Sequence, residues 1–183
     1  MTLPRELQLK HVGNNLLIAS QPVSELSAIE GKPIVIENLK ITDSLHLFKK
    51  ISTIKFPCRL NINMEKTSDF SLSFSNDLGE ELLVGYDKKL NQYFIDRSKS
   101  GKTTFEKGFA AWHTAPRFTS KSNMNISLLI DVCSVELFAD DGLTTMTEIF
   151  FPNKPYSRIL LQQTGKAVLK KLEYIKLRSI LQK

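Results

Sequence analysis

Alternation of apolar and polar residues with a period of two is the strongest pattern in this chain. Apolar residues occupy every second position of residues 59–65 and 70–75, and a third such run extends over 124–132. Successive side chains of a β-strand point to opposite faces, so each run places one face on a core and the other in water. The pattern is typical of antiparallel sheets with one buried face. It therefore predicts an all-β fold.

Turn-forming residues divide residues 58–97 into four short segments. Asp77 and Gly79 follow the second segment, and Asp87 with two lysines follows the third. Residues of these types are common in tight turns because they tolerate unusual backbone angles or bond to nearby backbone groups. We interpret residues 58–97 as a meander of four consecutive strands.

The sequence Asp140-Asp141-Gly142 is a strong hairpin signal between 134–139 and 144–151. One short helix is predicted at 22–30, with Pro22 near its start and Gly31 as its stop. The segment 44–50 leaves its type open. The segment 166–181 fits a helical stripe and one face of a strand about equally. Further strands are predicted at 2–10, 15–20 and 34–39.

Length and composition agree with one globular domain. A chain of 183 residues with 42% apolar and 24% charged residues buries about 70% of its unfolded surface. We expect residues 1–183 to form a single two-sheet antiparallel β-sandwich, lectin-like or jelly-roll-like, with at most one short helix.

Charge and hydropathy exclude some functions and leave others open. The net charge of +6 is scattered without a basic motif, so nucleic-acid binding is not expected. No apolar run approaches the about 20 residues that span a membrane. Residues 1–10 lack the apolar stretch of a signal peptide.

The search for catalytic chemistry yields no constellation, and we predict no catalytic residue, no metal site and no cofactor. The glycines form no nucleotide-binding loop, and the three histidines are isolated. Asp131 and Glu136 stand opposite the apolar positions of their strands, so we expect both in solvent. Asp140 and Asp141 are explained by the turn. The carboxylate pair of a glycosidase is therefore not expected.

Aromatic side chains are the remaining candidates for ligand contact. Trp112, Tyr86 and Tyr93 could stack on sugar rings, since an aromatic face is a flat apolar platform; the alternative is that they fill the core. Cys58 and Cys133 are too few for a metal cluster. We expect two free and mostly buried thiols rather than a disulfide.

Four stretches resemble the C-terminal module of glycoside hydrolase family 32, the family of invertases, levanases and inulinases. The resemblance runs in order along the chain, and its most specific part is the hairpin motif. Cys133 stands where a small hydroxyl residue is more usual, and Leu181 where the family often has Trp. The stretches are 1–7 (MTLPREL), 96–101 (DRSKSG), 131–142 (DVCSVELFADDG) and 177–180 (LRSI), the last of which favours a strand.

This resemblance implies a fragment of a two-domain enzyme. Family members carry their active site on an N-terminal five-bladed propeller, with an Asp nucleophile, an R-D-P Asp and an E-C Glu. None of these motifs occurs here: the only tryptophan is Trp112, no Asp precedes Pro and no Glu precedes Cys. The resemblance therefore implies a non-catalytic module of a fructan- or sucrose-cleaving hydrolase that supports the propeller structurally.

The same resemblance suggests partners and location. The first partner is the missing propeller, and Arg5 and Glu6 lie where they could fix the orientation of the two domains. A domain of this kind should also expose an apolar patch at the contact. The alternative function is a carbohydrate-binding module for fructan oligosaccharides. The parent could form a homo-oligomer, and the family implies secretion or a periplasmic location.

Overall fold

Fourteen strands and one short 3-10 helix make up the computed structural model, which describes residues 3–40, 44–46, 51, 54–65, 68–164 and 168–178. The helix, η1, covers Ser24–Ile29. In the part of the chain so described, no helix has the length and apolarity to cross a membrane. The strands are β1 (Arg5–Val12), β2 (Asn15–Pro22), β3 (Ile34–Lys40), β4 (Ser44–His46), β5 (Cys58–Glu65), β6 (Phe70–Ser75), β7 (Glu81–Asp87), β8 (Gln92–Lys99), β9 (Trp112–Pro116), β10 (Met124–Ile130), β11 (Ser134–Ala139), β12 (Thr144–Ile149), β13 (Arg158–Gln163) and β14 (Val168–Lys176).

Twelve of these strands form two antiparallel sheets of six. The first sheet has the order β12-β11-β10-β5-β14-β3, and the second has the order β4-β13-β6-β7-β8-β9. Strands β1 and β2 form a separate two-stranded hairpin. The predicted all-β, two-sheet antiparallel sandwich with one short helix is therefore confirmed.

The core lies between the two sheets and is built from the alternating positions. In β5, Leu60, Ile62 and Met64 are at most 2% exposed, and they face Leu72 and Phe74 of the other sheet within one apolar cluster. Burying side chains of this size contributes about 1.5–3 kcal/mol each. The period of two thus selects which side of each strand faces the partner sheet.

The predicted four-strand meander over 58–97 is corrected by the pairing. Strand β5 pairs with β10 and β14 in the first sheet, whereas β6, β7 and β8 are consecutive neighbours in the second. Two strands with alternating apolar residues can bury their apolar faces as neighbours in one sheet or as members of two sheets that pack face to face. The pattern of residues 58–97 fits both arrangements, and the structure has the second between β5 and β6.

Both uncertain segments contain a strand among their described residues. Residues 168–176 form β14, which pairs with both β3 and β5, so the helical alternative for 166–181 is wrong there. The segment 44–50 begins with β4. Its residues 47–50 lie outside the described residues, as do Leu181 and the last two residues of the motif 177–180.

A second, smaller apolar cluster lies outside the sandwich core. Leu129 and Phe138 lie in neighbouring strands of the first sheet and pack against Leu26 of η1 and against Leu177. The predicted helix at 22–30 is present as this 3-10 turn. The chain preceding β3 therefore covers part of the outer face of the first sheet.

Candidate functional site

The β1–β2 hairpin exposes four large apolar side chains on one of its faces. Leu9 is paired with Ile18, and Leu7 and Leu16 lie on the same face in neighbouring register positions. Their exposed fractions are 68% for Leu7 and Leu9, 63% for Ile18 and 53% for Leu16. We call this set the hairpin face. Contiguous exposed apolar side chains of this kind mark interaction surfaces.

The opposite side of the hairpin is attached to the sandwich. Ala19 is buried, the Ser20 amide donates a 2.8 Å hydrogen bond to the Gly142 carbonyl, and Lys10 Nζ donates to the Asp141 carbonyl at 2.9 Å. Gly142 has a positive φ of 83°, and a Cβ there would lie 2.3 Å from the Ser20 carbonyl oxygen. Only glycine therefore permits this close approach.

Arg5 anchors the first strand of the hairpin. Its guanidinium forms an ion pair with Glu136, donates to Thr147 Oγ1 at 2.7 Å and lies 5.0 Å from the centroid of the Phe138 ring. Glu6, the second residue predicted to orient two domains, is exposed. Within this chain, Arg5 thus positions the hairpin, and Glu6 belongs to the face of β1 opposite the hairpin face.

Glu136 is buried, which corrects the prediction that it points into solvent. Its exposed fraction is 5%, and besides Arg5 it accepts a 2.9 Å hydrogen bond from the Leu3 amide. The carboxylate does face away from the sandwich core, but the N-terminal segment covers that side. Asp131, by contrast, is exposed as predicted.

Asp140 has the turn geometry that its sequence predicts, with φ of 49°, but its carboxylate is also buried. Arg117 donates to both oxygens at 2.8 and 3.0 Å, and the Tyr93 hydroxyl donates at 2.7 Å. Burial and the neighbouring Asp140 charge raise the pKa of Tyr93. Burial would lower the pKa of Arg117, but the hydrogen bond to Asp140 and the charges and hydroxyl groups around it together outweigh burial, and the pKa is raised.

These contacts give both buried carboxylates a structural role. Glu136 and Asp140 are each held by an arginine, which satisfies their charge and fixes nearby backbone. Neither is paired with a second carboxylate in the hydrogen bonds and ion pairs of the described residues. In the same residues, no group of three or more His, Cys, Asp or Glu side chains could hold a metal ion.

The three aromatic candidates for sugar contact lie in different environments. Tyr93 has no exposed surface and Tyr86 is only 4% exposed, so both are core residues, as the alternative interpretation had it. Their rings pack together with centroids 5.3 Å apart. Trp112 is 54% exposed and stacks on Phe94 with centroids 4.4 Å apart and an 18° angle between the rings.

Trp112 borders a groove of about 530 Å³ on the outer face of the second sheet. Ser71, Asp87 and Gln162 also line it, together with Phe94. Sequence reasoning found Trp112 but missed Phe94, because an apolar residue inside a strand is expected to face the core. The hairpin face was missed for the same reason.

The two cysteines are free and lie in different environments. Cys58 is buried and Cys133 is exposed, which corrects the expectation that both are mostly buried. Burial raises the pKa of the Cys58 thiol to about 12, so this thiol stays protonated and unreactive at neutral pH. Cys133 lies in the tight turn between β10 and β11, where no second layer covers it.

Comparison with known proteins places this architecture in a family. The family model described as "Glycosyl hydrolases family 32 C terminal" matches residues 25–176. The extracellular exo-inulinase of Aspergillus niger is 32% identical over 173 residues, which are 91% of this chain and 32% of that protein. A levanase of Bacillus subtilis is 27% identical over 157 residues, covering 84% of this chain and 23% of that protein.

A solved structure extends the similarity to three dimensions. The exo-inulinase of Aspergillus awamori superposes with a TM-score of 0.80 at 26% identity, over 97% of this chain and 36% of that one. The chain thus spans about a third of the length of its Aspergillus relatives. With the family model matching most of its residues, the chain belongs to the C-terminal domain family of glycosyl hydrolases family 32.

Proposed function

We propose that this chain is the non-catalytic C-terminal module of a fructan- or sucrose-cleaving glycoside hydrolase, and that the hairpin face packs against the catalytic domain. The observation that carries the proposal is the row of exposed apolar side chains on the hairpin: Leu7, Leu9, Leu16 and Ile18. The relatives' greater length supports it, because about two thirds of the Aspergillus niger exo-inulinase lies outside the matched region.

The chemistry of the chain agrees with a supporting role. The propeller motifs that carry catalysis in the family do not occur in this sequence. The buried carboxylates Glu136 and Asp140 are engaged by Arg5 and Arg117. A retaining glycosidase needs two carboxyl groups about 5 Å apart, and we assign that pair to a preceding propeller domain rather than to residues 1–183.

The relatives suggest what the parent acts on and where. Those named above are an exo-inulinase and a levanase, and a sucrose-6-phosphate hydrolase of Zymomonas mobilis is 27% identical over 161 residues. We propose a β-fructosidase as the parent. The Aspergillus niger protein is described as extracellular, which supports a secreted or periplasmic location.

Domain docking through the hairpin is energetically sufficient. Fully burying a Leu or Ile side chain contributes about 1.5–3 kcal/mol, and because the four residues are 53–68% exposed, burying what remains offers about 4–8 kcal/mol before costs. Linked domains lose less translational freedom than separate proteins, so more of this energy is kept. Arg5 holds the hairpin on the sandwich, and Glu6 is exposed on the other face of β1, where a partner that extends around the end of the hairpin could bind it.

A chimera tests the proposal. This chain replaces the C-terminal third of the Aspergillus awamori exo-inulinase, and the double substitution Leu9→Lys/Ile18→Lys is introduced into it. Because lysines cannot be buried against an apolar partner without cost, we expect the chimera's Tm to fall by several degrees. The Tm of the isolated chain should not change, since both residues are exposed there.

The matched control is Leu78→Lys/Leu90→Lys, which alters two equally exposed leucines in turns of the second sheet. It should leave both Tm values unchanged. Equal Tm values for the two double variants in the chimera would contradict docking through the hairpin face. A concentration-dependent dimer of the isolated chain, lost in Leu9→Lys/Ile18→Lys, would instead assign the face to a second copy of the chain.

A further inference from the structure

The Trp112 ring is held flat on the second sheet by an arrangement that depends on Gly85. Gly85 pairs with Phe94 across β7 and β8, and a Cβ at Gly85 would lie 2.5 Å from Phe94 Cζ. The Phe94 ring can therefore lie across β7 only because no side chain occupies that position. Trp112 then stacks on Phe94 at 4.4 Å, with one ring face covered and the other open to solvent.

Polar groups surround this aromatic platform. Ser71 is paired with Gly85 on one side and with Gln162 on the other, so the three lie in one row across the sheet, and Ser71 and Gln162 line the groove beside the Phe94 ring. Asp69 and Asp87 close one end. Asp69 accepts hydrogen bonds from the Lys88 amide at 2.7 Å and from Thr164 Oγ1 at 3.1 Å, which fixes the shape of that end.

We propose that this groove binds a neutral oligosaccharide, with one sugar ring stacked on Trp112. A flat ring beside hydroxyl, amide and carboxylate groups matches a ligand that has apolar C–H faces and a rim of hydroxyl groups. Among the described residues that line the groove there are two carboxylates and no Lys or Arg, although the chain carries a net charge of +6. The two carboxylates in the lining disfavour an anionic ligand.

The polar surroundings also separate this groove from a protein-docking surface. On the hairpin face, exposed apolar side chains follow one another, as a protein partner requires. In the groove, Trp112 is the one strongly exposed apolar side chain among the lining residues. A protein that docked there would bury Asp69, Asp87 and Gln162 and would have to pair each of them.

Fluorescence titration tests the site directly, because Trp112 is the only tryptophan in the sequence. The intact chain is titrated with inulin-type fructo-oligosaccharides, levan-type fructo-oligosaccharides and cello-oligosaccharides, and with sorbitol as an acyclic polyol. A stacked sugar ring displaces water from the indole, so we expect a saturable blue shift at millimolar oligosaccharide and none with sorbitol. Comparison of the affinities for the three oligosaccharides shows which type of glycan the groove prefers.

Variants show whether the platform itself binds. By saturation-transfer NMR, Trp112→Ala should weaken binding by about tenfold or more, and Trp112→Phe should restore part of it. Phe105→Ala removes another exposed aromatic ring and should have no effect.

The outcomes that overturn the proposal are distinct from those that bear on domain docking. Absence of binding by all three oligosaccharides, or equal binding by the intact chain and by a folded Trp112→Ala variant, would overturn it. The Leu9→Lys/Ile18→Lys variant should bind sugar with unchanged affinity. The proposal of sugar binding in the groove and the proposal of docking through the hairpin face can therefore be overturned independently.

Discussion

Strands β1 and β5 have the same length, and apolar residues alternate with polar ones in both, yet the apolar residues of β5 are buried and those of β1 are exposed. In β5, Leu60, Ile62 and Met64 are at most 2% exposed. In β1, Leu7 and Leu9 are each 68% exposed. Both strands are paired along their length, so the difference does not come from the backbone. It comes from what lies opposite the apolar face.

Alternation therefore determines which face of a strand is apolar, but it does not determine whether another part of the protein covers that face. A second sheet lies opposite β5, whereas no described part of this chain lies opposite the hairpin face. An apolar strand face without a cover in its own chain is explained most simply by a partner. Substitutions in the sandwich and in the hairpin test this contrast.

The largest effect is expected where the sandwich and the hairpin meet. Asp140→Ala leaves the buried guanidinium of Arg117 without its counter-ion and should lower the free energy of unfolding by about 3–5 kcal/mol. Urea denaturation followed by fluorescence measures this difference. The control Glu106→Ala removes an exposed carboxylate and should change the free energy by less than about 0.5 kcal/mol.

The same substitution in the two strands should have very different effects. Leu60→Ala leaves a cavity in the core and should cost about 2–5 kcal/mol, whereas Leu9→Ala should change the free energy of unfolding by less than about 0.5 kcal/mol. Both are measured on the isolated chain by urea denaturation. A comparable loss for Leu9→Ala would mean that the hairpin face is already covered in solution.

Removal of the hairpin's anchor should affect the hairpin more than the sandwich. Arg5→Ala leaves the buried carboxylate of Glu136 without its cation and should cost about 1–3 kcal/mol. Limited proteolysis should then cut the hairpin faster than the sandwich strands. Glu6→Ala, a change at the exposed neighbour, should alter neither the unfolding curve nor the cleavage rate. If it does, Arg5 is not the specific anchor.

The smallest effect concerns a loop contact of the sandwich that responds to pH. Burial would raise the pKa of Glu80, but hydrogen bonds from Asn153 and Asn76 outweigh it and the pKa is lowered below 4.5. Its stabilising contribution is therefore present above pH 4.5 and is lost as the pH falls through the lower, folded-state pKa.

We accordingly expect Glu80→Gln to cost about 1 kcal/mol at pH 7, a value reduced by solvent screening at this partly exposed site. The difference from the unsubstituted chain should shrink as the pH falls from about 5 to 3. Unfolding curves across this range measure it. A difference that stays constant with pH would show that the Glu80 charge contributes nothing to stability.

Much of the fold was predictable because it depends on local chemistry. The turn at Asp140-Asp141-Gly142 was predicted from residue types that tolerate positive φ, and all three residues have positive φ. The short helix predicted at 22–30 is present as the 3-10 turn η1, and strands β6, β7 and β8 of the second sheet were also predicted. The sequence alone did not show that β5 belongs to a different sheet from β6, β7 and β8. The neighbours of β5 are β10 and β14, which lie far along the chain.

The candidate sites were less predictable, for a related reason. Trp112 was found because a lone tryptophan is conspicuous, but Tyr93 could not be assigned to the core before its partner Asp140 was located. Glu136 was misplaced because a polar side chain on the outer face of a sheet is normally solvated. Here a further segment covers that face, and Arg5, more than 130 positions away, compensates the charge.

Three properties can be derived from the residues alone: the β class of the fold, the positions of the tightest turns and the absence of the family's catalytic motifs from residues 1–183. They follow from side-chain periodicity, from backbone sterics and from the residues present. Three others are known only from the folded chain: which apolar strand faces are covered, which charges are buried in pairs, and that Trp112 stacks on Phe94 beside Gly85. Those properties depend on which distant segments pack together, and alternation with a period of two does not specify which segment packs against a given strand.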